Sequence, residues 1–172
     1  MCGITGSTIL SLASQNYINA ISSIKYRGPD NIGRYKDENI FLAHVRLSIS
    51  DLTEDGNQPF TSKSYKNFVL VFNGEIYNIK YIKKYLSDYK IKVSTNCDTE
   101  LLYLMLANFG IEKTLELIEG IFSFAFYDKK KQIIWLCRDH FGIKPLYYSL
   151  ENGLSFSSSQ DGLNNYICEP NK

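Results

Sequence analysis

The chain has 172 residues, of which 44% are hydrophobic and 14% aromatic, and its formal net charge is +1. This length suits one domain with a core that needs neither disulfides nor a structural metal. The balance of 19 basic and 18 acidic residues gives no field that would attract a nucleic acid or an anionic membrane. Without a long apolar segment or a secretory signal at the N-terminus, we expect a cytoplasmic protein.

Strands and helices alternate irregularly in the first half of the chain. In chain order, the hydrophobic patterns predict a strand at residues 4–10, a helix at 13–24, a strand at 40–45 and a surface loop at 51–66. The helix is expected to bury Ile18, Ile21 and Ile24.

Five apolar residues at 68–72 predict a strand buried on both faces, which ends at the Asn73-Gly74 pair. Asn78 predicts the N-cap of a following helix, and a second helix is expected at residues 98–109. The rest of the chain is typical of an antiparallel meander, with strands at 121–127, 133–137, 146–150 and 154–157.

A cysteine at position 2 is the residue whose place in the chain suggests catalysis. Once Met1 is removed, Cys2 carries both a thiol and a free α-amino group, and an α-amine that is partly neutral near pH 7 can accept the thiol proton. One residue then supplies both nucleophile and base. Position alone is weak support, because a cysteine at residue 2 is more often incidental. The spacing of the cysteines fits neither a zinc site nor a disulfide scaffold, so we expect no metal.

Short motifs along the chain strengthen the interpretation of Cys2. They are MCGI at residues 1–4, RGPD at 27–30, AHVRLSI at 43–49, GNQP at 56–59, NGEIYN at 73–78, CDTE at 97–100, GIFSFA at 120–125 and RDHFGIKPLYY at 138–148. Through these motifs the chain resembles class II glutamine amidotransferases, which are N-terminal-nucleophile hydrolases. The resemblance is strongest to the glutaminase domain of glutamine-hydrolysing asparagine synthetase.

The resemblance implies an α+β fold, the four-layer αββα sandwich of N-terminal-nucleophile hydrolases with two mainly antiparallel sheets. It assigns residues 1–160 to a glutamine amidotransferase type 2 domain and leaves residues 161–172 as a tail that we expect to be disordered. Arg138 and Asp139 lie in a segment that faces the partner domain in the family, and there we expect a buried or interfacial ion pair rather than catalysis.

The resemblance also implies roles for single residues. Cys2 is the nucleophile, and Asn73 and Gly74 form an oxyanion hole with a side-chain amide and a main-chain N–H. The glutamine carboxylate is assigned to Arg46, whose guanidinium offers a planar pair of donors. Its ammonium is assigned to Asp98 with Glu75 nearby, and the main chain at Leu47 and Ile49 completes the site.

Each of these residues has an ordinary structural explanation when taken alone. Asn73-Gly74 suits a type I′ hairpin turn, and Asp98 suits a helix N-cap. Arg46 alone would be a surface residue, and Glu75 an acid favoured by a helix dipole. His44 is a weaker candidate for a catalytic base, because it lies in a predicted strand and the α-amine does that work in the family.

The implied substrate is L-glutamine, hydrolysed to glutamate and ammonia through a Cys2 γ-glutamyl thioester, with the ammonia supplied for ATP-dependent asparagine synthesis. The sequence contains no Ser-Gly-Gly-rich pyrophosphate loop and no Walker motif, so the synthetase domain is absent from it. We expect no cofactor for the glutaminase domain; ATP and magnesium belong to a synthetase domain or subunit that receives the ammonia. A stand-alone glutaminase for another amidation, and a catalytically silent module that binds glutamine or a partner, remain alternatives.

Overall fold

The computed structural model describes residues 2–48 and 53–167. Within these ranges the elements in chain order are β1 (Gly3–Ser7), α1 (Ser14–Ile24), β2 (Asn31–Lys36), β3 (Phe41–Arg46), β4 (Phe68–Ile76), α2 (Ile79–Asp88), α3 (Asp98–Leu117), β5 (Gly120–Asp128), β6 (Ile133–Arg138), β7 (Tyr147–Ser149), β8 (Ser155–Ser157) and α4 (Gln160–Ile167). Single turns of 3-10 helix lie at Lys25–Arg27 and Glu54–Gly56.

The strands form two antiparallel sheets. One is five-stranded with the order β2-β3-β1-β8-β7, and the other is three-stranded with the order β4-β5-β6. In the five-stranded sheet the central strand β1 pairs with β3 on one side and with β8 on the other. In the three-stranded sheet β4 lies at the edge and pairs with β5 along all nine of its residues.

Three hydrophobic clusters define the layers. The first lies between the three-stranded sheet and helices α2 and α3, the second between the two sheets, and the third between the five-stranded sheet and helices α1 and α4. The described residues therefore form a four-layer αββα sandwich, which confirms the expected fold class. Because β4 packs against β1 and β3, the beginning of the chain lies next to the edge of the other sheet.

The predicted strand at residues 68–72 continues further than expected. Asn73 and Gly74 do not turn the chain, because they pair with Ser123 and Phe122 inside the β4–β5 ladder, and β4 ends at Ile76. The pairing with β5 therefore overrides the turn preference of the Asn-Gly dipeptide.

The predicted meander is wrong in its connectivity. β5 and β6 remain in the three-stranded sheet, whereas β7 and β8 lie in the five-stranded sheet, where β8 pairs with β1. Small hydroxyl side chains stabilise this crossing, since the Ser7 and Ser155 hydroxyls are 2.9 Å apart and Thr5 Oγ1 donates to the Phe156 carbonyl over 3.0 Å.

Two helices also differ from expectation. In α1 the buried face consists of Tyr17, Ala20, Ile21 and Ile24, whereas Ile18 is 46% exposed. Asn78 does not cap α2 with its side chain, which instead donates to the Leu117 carbonyl and accepts from the Glu119 N–H. Asn78 therefore holds the connection between α3 and β5.

The segment after residue 160 contains an additional helix. Residues 161–167 were expected to belong to a disordered tail, but they lie in α4, which packs against α1. Leu163 and Tyr166 are buried, Tyr166 packs in the cluster that contains Tyr17 and Ile21 of α1, and its Oη lies 3.0 Å from Thr5 Oγ1. These apolar contacts explain why a largely polar segment is ordered. Residues 168–172 lie outside the described residues.

Candidate active site

Cys2 immediately precedes β1 and is half-buried. Its Sγ lies 3.5 Å from the main-chain nitrogen of Leu47 and 3.8 Å from the Leu47 carbonyl oxygen. Its carbonyl accepts a hydrogen bond of 3.1 Å from Arg27 Nε. The thiol is thus held against the end of β3. Met1 lies outside the described residues, so the processing of the N-terminus remains a prediction.

Arg46 is the last residue of β3, and only 6% of it is exposed. Its Nη1 donates to the Thr53 carbonyl over 2.6 Å and to Asn57 Oδ1 over 2.9 Å. Gly56 lies directly against the guanidinium, since a Cβ at Gly56 would be 2.3 Å from Nη2. Because Gly3 pairs with Val45, Arg46 and Cys2 occupy adjacent places at the same end of the five-stranded sheet.

The main chain after Arg46 is fixed by the RGPD turn. Asp30 donates its N–H to the Arg46 carbonyl over 3.0 Å, and its carboxylate accepts from the Ser48 N–H over 2.7 Å. Leu47, between these two residues, is therefore held where both its N–H and its carbonyl face the Cys2 thiol. Ile49, which was also assigned to the substrate site, lies outside the described residues.

Asn73 lies on the face of β4 that is turned towards the five-stranded sheet, together with Val69 and Val71. It is 1% exposed, and its Nδ2 has no hydrogen-bond partner among residues 2–48 and 53–167. A buried amide that lacks a partner is costly, so this donor is suited to a bound acceptor.

The main-chain N–H of Gly74 points away from β5. In an antiparallel ladder, alternate residues direct both main-chain groups to the same side. On β4 the N–H groups of Leu70, Phe72 and Ile76 donate to the Phe60 carbonyl, to Gln58 Oε1 and to Asp98 Oδ2, all on the side opposite β5. Gly74 is two residues from both Phe72 and Ile76, so its N–H points to the same side of β4 as theirs. It therefore faces the gap between Gln58 and Asp98.

Asp98 is the first residue of α3, and its Oδ2 accepts the Ile76 N–H over 3.2 Å. Burial raises the pKa of this carboxyl, the N–H groups of Ile76 and Thr99 oppose the shift, and the charge of Glu75 adds to it. Glu75 is exposed and lies on the same strand as Gly74. In the part of the chain that the structure describes, no basic side chain forms an ion pair with Asp98.

His44 is completely buried on β3 between the two sheets. Burial, and then the positive charge of Arg46, lower its pKa to about 3, while the main chain of Phe72 opposes the shift. Neither ring nitrogen has a hydrogen-bond partner among the described residues. A histidine with so low a pKa is a poor proton acceptor near pH 7, so the structure does not favour His44 as the catalytic base.

Within the described residues, Arg138 and Asp139 form no ion pair, and an ion pair across an interface with a partner domain stays a prediction. Arg138 Nε donates to the Lys144 carbonyl over 2.7 Å, and the Asp139 carboxylate accepts from the N–H groups of Phe122, Ile143 and Lys144. Although burial raises the pKa of Asp139, these N–H groups lower it below its usual range. Both side chains therefore bind main chain, and Asp139 fixes β5 at Phe122, opposite Gly74.

The supporting residues of the site had no role assigned from the sequence. Arg27 and Asp30 belong to RGPD, and Asn57 and Gln58 belong to GNQP. These motifs were therefore the available signal for the four residues. Most of the contacts that the four side chains make are with main-chain groups, however, and a sequence pattern does not show such contacts.

The family model described as a glutamine amidotransferase domain matches residues 1–171. The chain belongs to the glutamine amidotransferase family. Asparagine synthetase [glutamine-hydrolyzing] 2 of Bacillus subtilis is 39% identical over 167 residues, which are 92% of this chain and 21% of that protein. Putative asparagine synthetase [glutamine-hydrolyzing] 2 of Methanocaldococcus jannaschii is 34% identical over 185 residues, which are 95% of this chain and 35% of that protein.

The fold of this amidotransferase domain also matches a solved structure. Glutamine phosphoribosylpyrophosphate amidotransferase from Bacillus subtilis, complexed with ADP and GMP, superposes with a TM-score of 0.79 at 18% identity, covering 95% of this chain and 43% of that one. These comparisons confirm a class II glutamine amidotransferase domain of the N-terminal-nucleophile fold. The amidotransferase chain spans about a third or less of the length of the curated relatives described above. None of its described helices is long and apolar enough to cross a membrane.

Proposed function

We propose that the chain hydrolyses L-glutamine to glutamate and ammonia, and that the ammonia is supplied to ATP-dependent asparagine synthesis in a synthetase domain or subunit. The observation that carries the proposal is the pair of hydrogen-bond donors at Asn73 and Gly74. They lie beside the five-stranded sheet, in which the central strand β1 begins directly after Cys2. Family membership and the names of the asparagine synthetase relatives support the choice of substrate and of acceptor.

The reaction begins after Met1 has been removed. The freed α-amine of Cys2 takes the thiol proton, and the thiolate attacks the side-chain carboxamide carbon of glutamine. The oxygen becomes an oxyanion that accepts hydrogen bonds from Asn73 Nδ2 and the Gly74 N–H. The protonated amine then passes its proton to the leaving nitrogen, so that ammonia departs and a γ-glutamyl thioester remains. Water, deprotonated by the same amine, hydrolyses the thioester to glutamate and restores the thiol.

The two charged ends of glutamine select the substrate. Arg46, oriented by Thr53 and Asn57, binds the α-carboxylate through its planar guanidinium. Asp98, with its raised pKa and with Glu75 nearby, gains a favourable charge partner when the α-ammonium binds. Main-chain contacts from Leu47 complete the proposed site, and the same role is assigned to Ile49 from the family resemblance alone. A plain amide brings neither an α-carboxylate to Arg46 nor an α-ammonium to Asp98, so it lacks both charged contacts and is selected against.

The hydrolysis needs no cofactor in this domain, because residue 2 supplies both the nucleophile and the proton acceptor. ATP and magnesium act in the synthetase partner, where aspartate is activated before it receives the ammonia. The domain and its partner thus divide one reaction sequence into an amide hydrolysis and an ATP-dependent amidation.

The test is mass spectrometry and glutaminase kinetics on the purified chain. We expect loss of Met1, release of glutamate from glutamine, and a single addition of an electrophilic glutamine analogue at Cys2. Cys2→Ala is expected to abolish both glutamate release and labelling, whereas Cys137→Ser, the control for another half-buried thiol, keeps both. Labelling at Cys97 or Cys137, or glutamine binding by a processed chain without glutamate release, contradicts the proposal.

A further inference from the structure

Gln58 forms hydrogen bonds with main chain that a neighbouring strand would normally form. It is 6% exposed, and its Oε1 accepts the Phe72 N–H over 2.6 Å. Its Nε2 donates to the Phe72 carbonyl over 3.1 Å and lies 3.3 Å from Thr99 Oγ1. The side-chain carboxamide thus replaces a peptide group at the open edge of β4.

The edge of β4 is occupied in a regular order. Phe60 exchanges two main-chain hydrogen bonds with Leu70, Gln58 binds Phe72, and Asp98 accepts from Ile76. Gly74 is the residue of β4 between Phe72, which binds Gln58, and Ile76, which binds Asp98. Gln58 therefore lies directly beside the place where the oxygen of the reacting carboxamide would accept from the Gly74 N–H.

Gln58 also rests on the sheet that carries Cys2. Gly33 of β2 faces the main chain of Gln58 so closely that a Cβ at Gly33 would be 1.7 Å from the Gln58 carbonyl oxygen. Gly33 pairs with His44 on β3, two residues before Arg46. One residue thus contacts the five-stranded sheet with its main chain and the edge of the three-stranded sheet with its side chain.

We propose that Gln58 is a positioning residue that sets the distance between the oxyanion donors at Asn73 and Gly74 and the thiol of Cys2. This inference rests on the proposed glutaminase activity and assigns Gln58 no contact with the substrate. Oxyanion donors act only when they lie about 2.7–3.1 Å from the developing charge. A displacement of about 1 Å at a reacting group costs about 10²-fold in rate.

The deciding variant is Gln58→Glu in the processed full chain. A glutamate keeps the size of the side chain and an acceptor for the Phe72 N–H, but it has no N–H for the Phe72 carbonyl or Thr99. We expect kcat for glutamine hydrolysis to fall about 10²-fold, with KM within about threefold of the parent value. Alkylation of Cys2 by iodoacetamide is expected to keep its rate, because that displacement forms no oxyanion. Gln15→Glu, the same change on the exposed side of α1, serves as the matched control and is expected to match the parent in all three quantities.

Gln58→Met provides a second, uncharged variant of similar volume, in case the glutamate prevents folding, and the same loss of kcat is expected. If the parent chain releases no glutamate, the proposed function fails. If the parent is active and folded Gln58 variants keep its kcat, the inference about Gln58 is overturned while the proposed function stands. A parallel loss of kcat, glutamine affinity and iodoacetamide reactivity also overturns it, because Gln58 would then only maintain the fold.

Discussion

The Ile76 N–H donates to the Asp98 carboxylate over 3.2 Å, and this hydrogen bond joins the end of β4 to the first turn of α3. Gly74 lies two residues before Ile76 on the same strand. The group assigned to the substrate ammonium and the donor assigned to the oxyanion therefore belong to one hydrogen-bonded unit. A shift of α3 would move both ends of the site together.

Asp98→Asn is expected to raise KM for glutamine by roughly 10- to 100-fold, since hydrogen bonds to a charged group are worth about 1.5–3 kcal/mol. The asparagine keeps an acceptor for the Ile76 N–H, so kcat should change much less than KM. Steady-state kinetics of glutamate release measure both quantities. An unchanged KM would remove Asp98 from the substrate site.

The glutamine affinity of the parent chain is expected to depend on pH through Asp98. Its ionised form binds the ammonium, and burial raises its pKa above the ordinary value for aspartate. As pH falls through that raised pKa, Asp98 is protonated and KM increases, starting at a higher pH than for an exposed aspartate. KM measured across the acidic range should show this rise in the parent and not in Asp98→Asn. The same acidic limb in both proteins would assign the titration to another group.

Asn73→Ala is expected to lower kcat by about 10²–10³-fold, the usual cost of losing one oxyanion donor. Nδ2 is otherwise unused among the described residues, so the loss falls on the transition state rather than on a structural hydrogen bond. Glutamine kinetics and iodoacetamide alkylation of Cys2 are the measurements. A variant that retains more than about a tenth of the parent kcat would exclude Asn73 from the oxyanion hole.

Gly74→Ala is expected to destabilise the domain and to lower kcat. A Cβ at Gly74 would be 2.4 Å from the Ile121 carbonyl oxygen and 2.8 Å from Phe122 Cα, and both atoms are main chain that cannot easily move. We expect a loss of about 1–3 kcal/mol in the free energy of unfolding, measured by urea denaturation. An unchanged denaturation midpoint would contradict the close packing of β4 on β5.

Gly56→Ala is the same substitution at a site with a movable neighbour. Its Cβ would be 2.3 Å from Arg46 Nη2, the end of a flexible side chain. The guanidinium is expected to shift, so that KM for glutamine rises at least about fivefold while stability falls less than in Gly74→Ala. Kinetics and urea denaturation of the two variants, side by side, check this contrast. An unchanged KM in Gly56→Ala would argue against Arg46 as the carboxylate ligand.

The layer order of the fold was available through the resemblance, and the buried positions of Ile21 and Ile24 in α1 were available through their spacing. β2 was missed because Asn31–Lys36 is an edge strand with the sequence NIGRYK, whose mixed polarity gives no alternating signal. The course of β4 through Asn73-Gly74 depends on β5, which lies more than 40 residues later in the chain. Local turn preference could not reveal such a distant pairing.

The residues assigned to the substrate were named from motifs, whereas the residues that hold them in place were not. Gln58 acts through a side-chain amide that imitates a peptide group, and Asp30 acts through the main chain on either side of Leu47. Neither kind of contact leaves a periodic or compositional pattern. Such supporting contacts become visible only when the distances between elements are known.

The central place of β1 has a consequence for synthesis on the ribosome. Thr5 pairs with Ser157, so the strand translated first acquires its second neighbour only when the last strand emerges. A nascent chain that has already lost its initiator methionine therefore still lacks a complete sheet around its first residues. Until residues 155–157 have been made, the side of β1 that β8 covers stays unpaired, so the surroundings of Cys2 are completed by strands from opposite ends of the domain.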